Sequence, residues 1–168
     1  MNDTYFSGYS PASKLWIFQA NAPLLGHEAA IESHLLPFIQ SWLSHGAVVQ
    51  GSYHLVANRF LLIAASEAAG SVSGCSTDGL MRMVQALGTD LGLDFFDRTT
   101  LAFANETGHD PKINFVPLSE AKKGLPSEIA ANSLYYDLTP STVGQIQTGW
   151  PIQVQKSWLA KYLFEAAK

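Results

Sequence analysis

Apolar positions along the chain follow two rhythms. Short runs dense in aromatic and branched residues predict strands: Lys14-Leu15-Trp16-Ile17-Phe18-Gln19-Ala20, residues 48–56, Phe60-Leu61-Leu62-Ile63-Ala64-Ala65, and residues 98–104. Elsewhere the spacing lengthens to the helical period. Ile31, Leu35, Phe38, Ile39 and Trp42 make one stripe within residues 27–44, and Leu80, Met83, Val84, Leu87 and Leu91 make another after Cys75. The residues between these runs predict how they end. Pro37 removes a backbone donor inside the first helix, which predicts a kink or a break. His45-Gly46 fits a C-terminal cap, Gly51 a bulge, and Ala57-Asn58-Arg59 a tight hairpin turn. Gly88 weakens the last turns of the second helix, and Gly92 ends it.

Strand, helix, strand, strand, helix, strand is the order of an α+β fold, the ferredoxin-like βαββαβ sandwich. Right-handed crossovers would set its strands in the order 4-1-3-2. The first and third runs are apolar on both faces, as central strands are. Gln50, Ser52 and His54 alternate along the second and predict an edge. Two helices cover one face of such a sheet, so the other apolar face needs a cover. One candidate is a second copy of the chain, giving a homodimer through the open sheet face. The other is the chain's own residues 112–168.

The chain thus divides into a loose N-terminal arm (1–13), a ferredoxin-like core (14–111) and a C-terminal extension packed on that core (112–168). The extension holds Leu134-Tyr135-Tyr136, Trp150 and Trp158, which predicts that it is ordered. Thr139-Pro140-Ser141 resembles a helix start with proline at the first helical position.

Composition narrows the function classes. A chain of 168 residues with 14% charged side chains can bury a core and is too apolar for disorder. A net charge of -4 provides no basic field, which disfavours a nucleic-acid partner. No apolar run is long enough to span a bilayer, so no membrane insertion is expected. No secretory signal opens the chain. With Cys75 as the single cysteine there is no internal disulfide and no cysteine cluster for zinc. These features predict a soluble, cytoplasmic protein.

Two places could carry chemistry. Cys75 sits at the predicted start of the second helix, where unpaired amide donors can lower a thiol's pKa. The topology brings His45, and the turn around His109, toward that end as candidate bases. The plainer reading makes Ser73 or Ser76 the helix cap and Cys75 a small buried residue. At the opposite end of the sheet Gln19, Asn21, Asn58, Arg59, Asp94, Asp97 and Arg98 gather. Arg59 or Arg98 could clamp a carboxylate or phosphate there. Alternatively Asp97 and Arg98 simply pair, and Asn58 serves its turn.

The histidines show no metal pattern: His27 and His34 stand two helical turns apart, and His54 is alone on the edge strand. Gly70-Ser71-Val72-Ser73-Gly74 is amide-rich and opens a helix, so it could hold an anion. The chain contains no Gly-Lys dipeptide, which excludes the Gly-x-x-x-x-Gly-Lys-Ser/Thr loop.

Lys14-Leu15-Trp16-Ile17-Phe18-Gln19, Asn58-Arg59-Phe60, Ser73-Gly74-Cys75-Ser76-Thr77-Asp78, Phe95-Phe96-Asp97-Arg98 and Ser157-Trp158 together resemble a family of small uncharacterised bacterial proteins. Its members often bear the label of transporter ATPase. The missing nucleotide loop keeps that label from carrying over, and the resemblance assigns no residue a role. The sequence therefore predicts an accessory module that binds a small molecule or a protein, without catalysis and without a cofactor. The alternatives are a thiol enzyme using Cys75 with His45 or His109, and a nucleotide or phosphate binder using either the loop before Cys75, with Ser73 and Ser76, or Arg59 and Arg98, with Asn58 and Asp97.

Overall fold

The computed structural model describes residues 5–67 and 74–164, with the side chains of Glu67 and Cys75 outside that description. The fold is of mixed α and β character, with two antiparallel four-stranded sheets and four helices. In chain order the elements are β1 (Lys14–Gln19), α1 (Glu28–Gln40), β2 (Leu43–Ser44), β3 (Ala47–Val56), β4 (Phe60–Glu67), α2 (Gly74–Leu91) and β5 (Thr100–Ala104). There follow β6 (Asn114–Pro117), α3 (Leu118–Ala121), β7 (Leu134–Tyr135), α4 (Val143–Gln147) and β8 (Ile152–Gln153). Two 3₁₀ turns, Val154–Lys156 and Trp158–Tyr162, complete the described chain.

The first sheet has the order β1-β4-β3-β2. Leu15 pairs with Ala64 and Ile17 with Leu62, while Leu55 pairs with Leu61 across the hairpin. Strand alternation then divides the apolar residues of β4 between two layers. Leu61, Ile63 and Ala65 face α1 and α2, where Ile31, Leu35, Leu80, Val84 and Leu87 bury against them. Phe60, Leu62 and Ala64 face the other way, with Leu15 and Ile17 of β1.

The second sheet has the order β6-β5-β7-β8 and lies against that other face. Here the ferredoxin-like order 4-1-3-2 fails. The fourth predicted strand, β5, pairs with β6 and β7 instead of joining the edge of β1. Its small residues Ala102 and Ala104 bury in the layer between the sheets, while Leu101 and Phe103 bury on the outer side. Among the described residues a single parallel bridge, Gln19 to Phe96, runs beside the end of β1. Tyr136, Val143, Ile146 and Trp150 complete the inner layer. Leu15 and Ile17 are 3% and 2% exposed, and Phe60 and Leu62 fully buried. Of the two covers expected for this face, the described chain supplies the one formed by its own later residues. The outer side of the second sheet is closed in turn by Leu125, Ile129, Val154 and Leu159.

Four local expectations are also corrected. Helix α1 ends at Gln40 and passes through Pro37 without a break. His45-Gly46 is consequently not its cap: it is the two-residue turn between β2 and β3, with positive φ at both residues (51° and 80°), the combination a type I′ turn requires. Gly51 sits in unbroken register opposite Ala65 rather than in a bulge. A side chain there would meet the Trp42 indole, whose Cε3 lies 3.1 Å from the ideal Cβ position. Residues 5–13 are docked, not loose: Phe6 is buried in the inner layer, and Val143 N–H donates to the Ser13 carbonyl at 2.9 Å.

The start of α4, at Val143 with Thr142 before it, is set three residues later than Pro140 suggests. Gln145 Oε1 accepts from the backbone N–H groups of Ser141 (2.7 Å) and Thr142 (3.0 Å), which satisfies donors that a helix start leaves open. Gly92, by contrast, ends α2 in the left-handed conformation (φ 66°) expected of it.

Candidate functional site

The β3–β4 turn organises one end of the molecule. Ala57 and Asn58 both have positive φ (51° and 56°), and Arg59 N–H closes the turn onto the Val56 carbonyl at 3.1 Å. Asn58 tolerates that conformation and uses its carboxamide on both sides. Its Oδ1 accepts from Leu25 N–H at 2.6 Å, and its Nδ2 donates to Asp110 Oδ1 at 3.0 Å. The second bond holds the 105–110 loop, and with it His109, beside the turn.

Between this loop, the turn, the second sheet and residues 5–6 lies a cleft of about 630 Å³, within the range typical of small-molecule sites. Tyr5, His54, His109, Tyr136, Gln147 and Trp150 contribute to its lining. The rings are locked edge to face. Tyr5 meets His54 at 5.4 Å between centroids and Trp150 at 6.2 Å, and Trp150 meets Tyr136 at 5.4 Å. Tyr136 stacks on Phe60 at 4.6 Å. Trp150 Nε1–H donates to the Asp137 carbonyl at 2.8 Å, fixing the indole. Gln147 Nε2 reaches the carbonyls of Tyr5 (3.4 Å) and Phe6 (3.3 Å), which ties the N-terminal segment across one side. Burial, then the neighbouring Tyr5 phenol, pushes the Tyr136 hydroxyl up to about 12, so it stays a neutral hydrogen-bonding group.

The structure gathers most of the polar cluster predicted near the hairpin, and its groups mainly hold backbone. Asn21 N–H donates to the Asp94 carbonyl and Asn21 Oδ1 accepts from Asp94 N–H, each at 2.9 Å. Gln19 is buried and its Nε2 donates to the Thr100 carbonyl at 2.9 Å. Asp97 accepts from the N–H and hydroxyl of Thr99, each at 3.0 Å. Burial alone would raise its pKa, but these bonds and those from Thr100 outweigh it and lower the carboxyl. The Arg59 guanidinium lies 4.7 Å from the Phe115 ring centre. Its pKa is lowered by burial, against the pull of Asp110. Arg98 is exposed. No ion pair joins it to Asp97: among the described residues Lys123 pairs with Glu120, and the His34 imidazole Nε2 lies 2.9 Å from Asp90 Oδ2.

At the opposite end, Ser76 lies in the first turn of α2, inside the helix and not at its cap. Its hydroxyl donates to the Leu43 carbonyl at 2.7 Å, and its carbonyl accepts from Trp42 Nε1–H at 3.2 Å. This places His45, two residues after Leu43, at the α2 end of the sheet. His109 does not come there. It sits by Asn58, at the far end of the eight-residue strand β4, roughly 25 Å of extended chain away. Ser73, the loop 68–73 and the Cys75 thiol lie outside the described residues. Among the described residues no cluster of three or more histidine, cysteine or carboxylate side chains could hold a metal, and no helix is long and apolar enough to cross a membrane.

The cleft escaped the sequence reading because its walls come from distant segments. His54 was visible only as a polar position on an alternating strand, and Trp150 only as part of an ordered extension. Comparison of the chain with protein-family models, curated proteins and solved structures finds no match.

Proposed function

We propose that this chain is a binding module without catalysis that takes a small molecule in the cleft beside the β3–β4 turn. The observation that carries the reading is the cleft itself: some 630 Å³ of space walled by interlocked aromatic and imidazole rings. Rings held in this way lose little freedom when a ligand arrives, which favours affinity. The remaining polar cluster supports the same reading, since Asn21, Asn58, Asp94 and Asp97 use their side chains to fasten backbone.

A thermal-shift screen against a metabolite library tests it. A true ligand raises the melting temperature, and His109→Ala weakens its binding by about tenfold, the loss of one hydrogen bond or ring contact. His109 is exposed, so this variant keeps the melting temperature of the free chain. No stabilising compound, or one indifferent to His109→Ala and Tyr5→Ala, would refute the proposal.

A further inference from the structure

Among the described residues, the side chains lining the cleft include no lysine, arginine, aspartate or glutamate. What they offer is two imidazoles, two phenols, a carboxamide, a hydroxyl and the indole of Trp150. Charged residues adjoin the wall in sequence: Glu106 precedes Thr107, Asp110 follows His109 and Asp137 follows Tyr136, while the Arg59 guanidinium, two residues after Ala57, is held over the Phe115 ring. Asp110 is engaged by Asn58, and the Asp137 backbone by Trp150. The whole chain is acidic as well, at -4.

A ligand that brought a carboxylate or phosphate here would lose hydration and gain no opposite charge from the described lining, which is costly. A flat ring without charge would keep its edge-to-face contacts with the walls. Its polar edge would meet groups that both donate and accept. Resting on the binding reading above, we infer that the ligand is an uncharged planar heteroaromatic compound with hydrogen-bonding groups on its edge.

Matched probes isolate this inference from the reading beneath it. Nicotinamide with nicotinate, and uracil with its 6-carboxylate, set an uncharged ring beside an anionic compound built on the same ring, and 1-methylnicotinamide supplies the cationic ring. Glucose supplies an uncharged ligand that is not flat. Binding is measured in one buffer at fixed pH, by shifts of the Trp150 indole and His54 ring signals in NMR spectra. The expected result is that an uncharged ring binds at least about tenfold more tightly than its carboxylate or cationic partner, with little change on adding salt. Tighter binding of a carboxylate, of 1-methylnicotinamide or of glucose would overturn the inference and leave the cleft as a binding site. Failure of every uncharged ring, while a library compound still shifts these signals, would overturn it too. If no compound of any kind perturbs the cleft, the binding reading falls with it.

Discussion

His45 occupies a backbone conformation that histidine tolerates poorly. With φ of 51° it stands in the left-handed region, where a side chain crowds the following carbonyl and only glycine, asparagine or aspartate settles easily. The two-residue turn it shares with Gly46 favours Asn-Gly above other pairs. His45 is exposed and its turn is short, so an asparagine there relieves strain without opening a cavity. We expect His45→Asn to stabilise the chain by about 0.5–1 kcal/mol, raising the melting temperature by roughly 1–4 °C. Differential scanning calorimetry reads this directly; a lower melting temperature would contradict the turn. The turn signal itself is legible in His45-Gly46, but the apolar stripe before it makes the pair read as a helix end. The helical stripe runs on to Trp42, although the helix stops at Gln40 and Trp42 covers Gly51.

The elements with long, regular patterns were the legible ones. Strand β1 and the β3–β4 hairpin pair as their apolar alternation implies, and α1 and α2 bury the stripes read from their spacing. The end of α2 shows how closely such an element is fitted. Leu93 N–H donates to the Gly88 carbonyl at 2.9 Å and Gly92 N–H reaches the Thr89 carbonyl at 3.4 Å, the paired bonds that close a helix around a left-handed glycine. This closure folds the chain back so tightly that a Cβ on Gly88 would lie 2.5 Å from the Leu93 carbonyl oxygen. Gly88 is therefore required by contact, not merely tolerated as a weak helix former. Gly88→Ala improves helix propensity by about 1 kcal/mol, but the clash is with backbone and must displace the helix end. We expect a net loss of about 1–3 kcal/mol, measured by urea denaturation. A stabilised variant would show that the closing turn yields freely.

At the scale of the whole molecule the layers run helices, first sheet, second sheet, and the closing turns beyond it. The second sheet was the part that the sequence concealed. Strands β7 and β8 have two residues each, too few for an alternation to be read, and Ala102 and Ala104 on β5 suit an edge or a sheet interface equally. Yet β7 links the layers most directly. Tyr135 and Tyr136 are neighbours that point to opposite sides, Tyr135 into the outer layer and Tyr136 into the inner one.

Both phenols are pushed up to about 12, from 10.0 when free. Burial is the main cause in each case, aided by Asp137 for Tyr135 and by Tyr5 for Tyr136. Below pH 10 the phenols are protonated in the folded and unfolded chain alike, and their burial is fully stabilising. Between pH 10 and about 12 the unfolded chain releases these protons first, so stability falls as pH rises. The shift corresponds to about 2–3 kcal/mol per tyrosine across that window. Because the two rings open onto different layers, their ionisation should loosen both faces of the second sheet at once. Guanidinium midpoints should therefore drop steeply above pH 10, in step with phenolate absorbance, and Tyr135→Phe with Tyr136→Phe should flatten the drop. A midpoint that stays level between pH 10 and about 12 would mean that these rings are open to solvent and that the second sheet is not a closed layer.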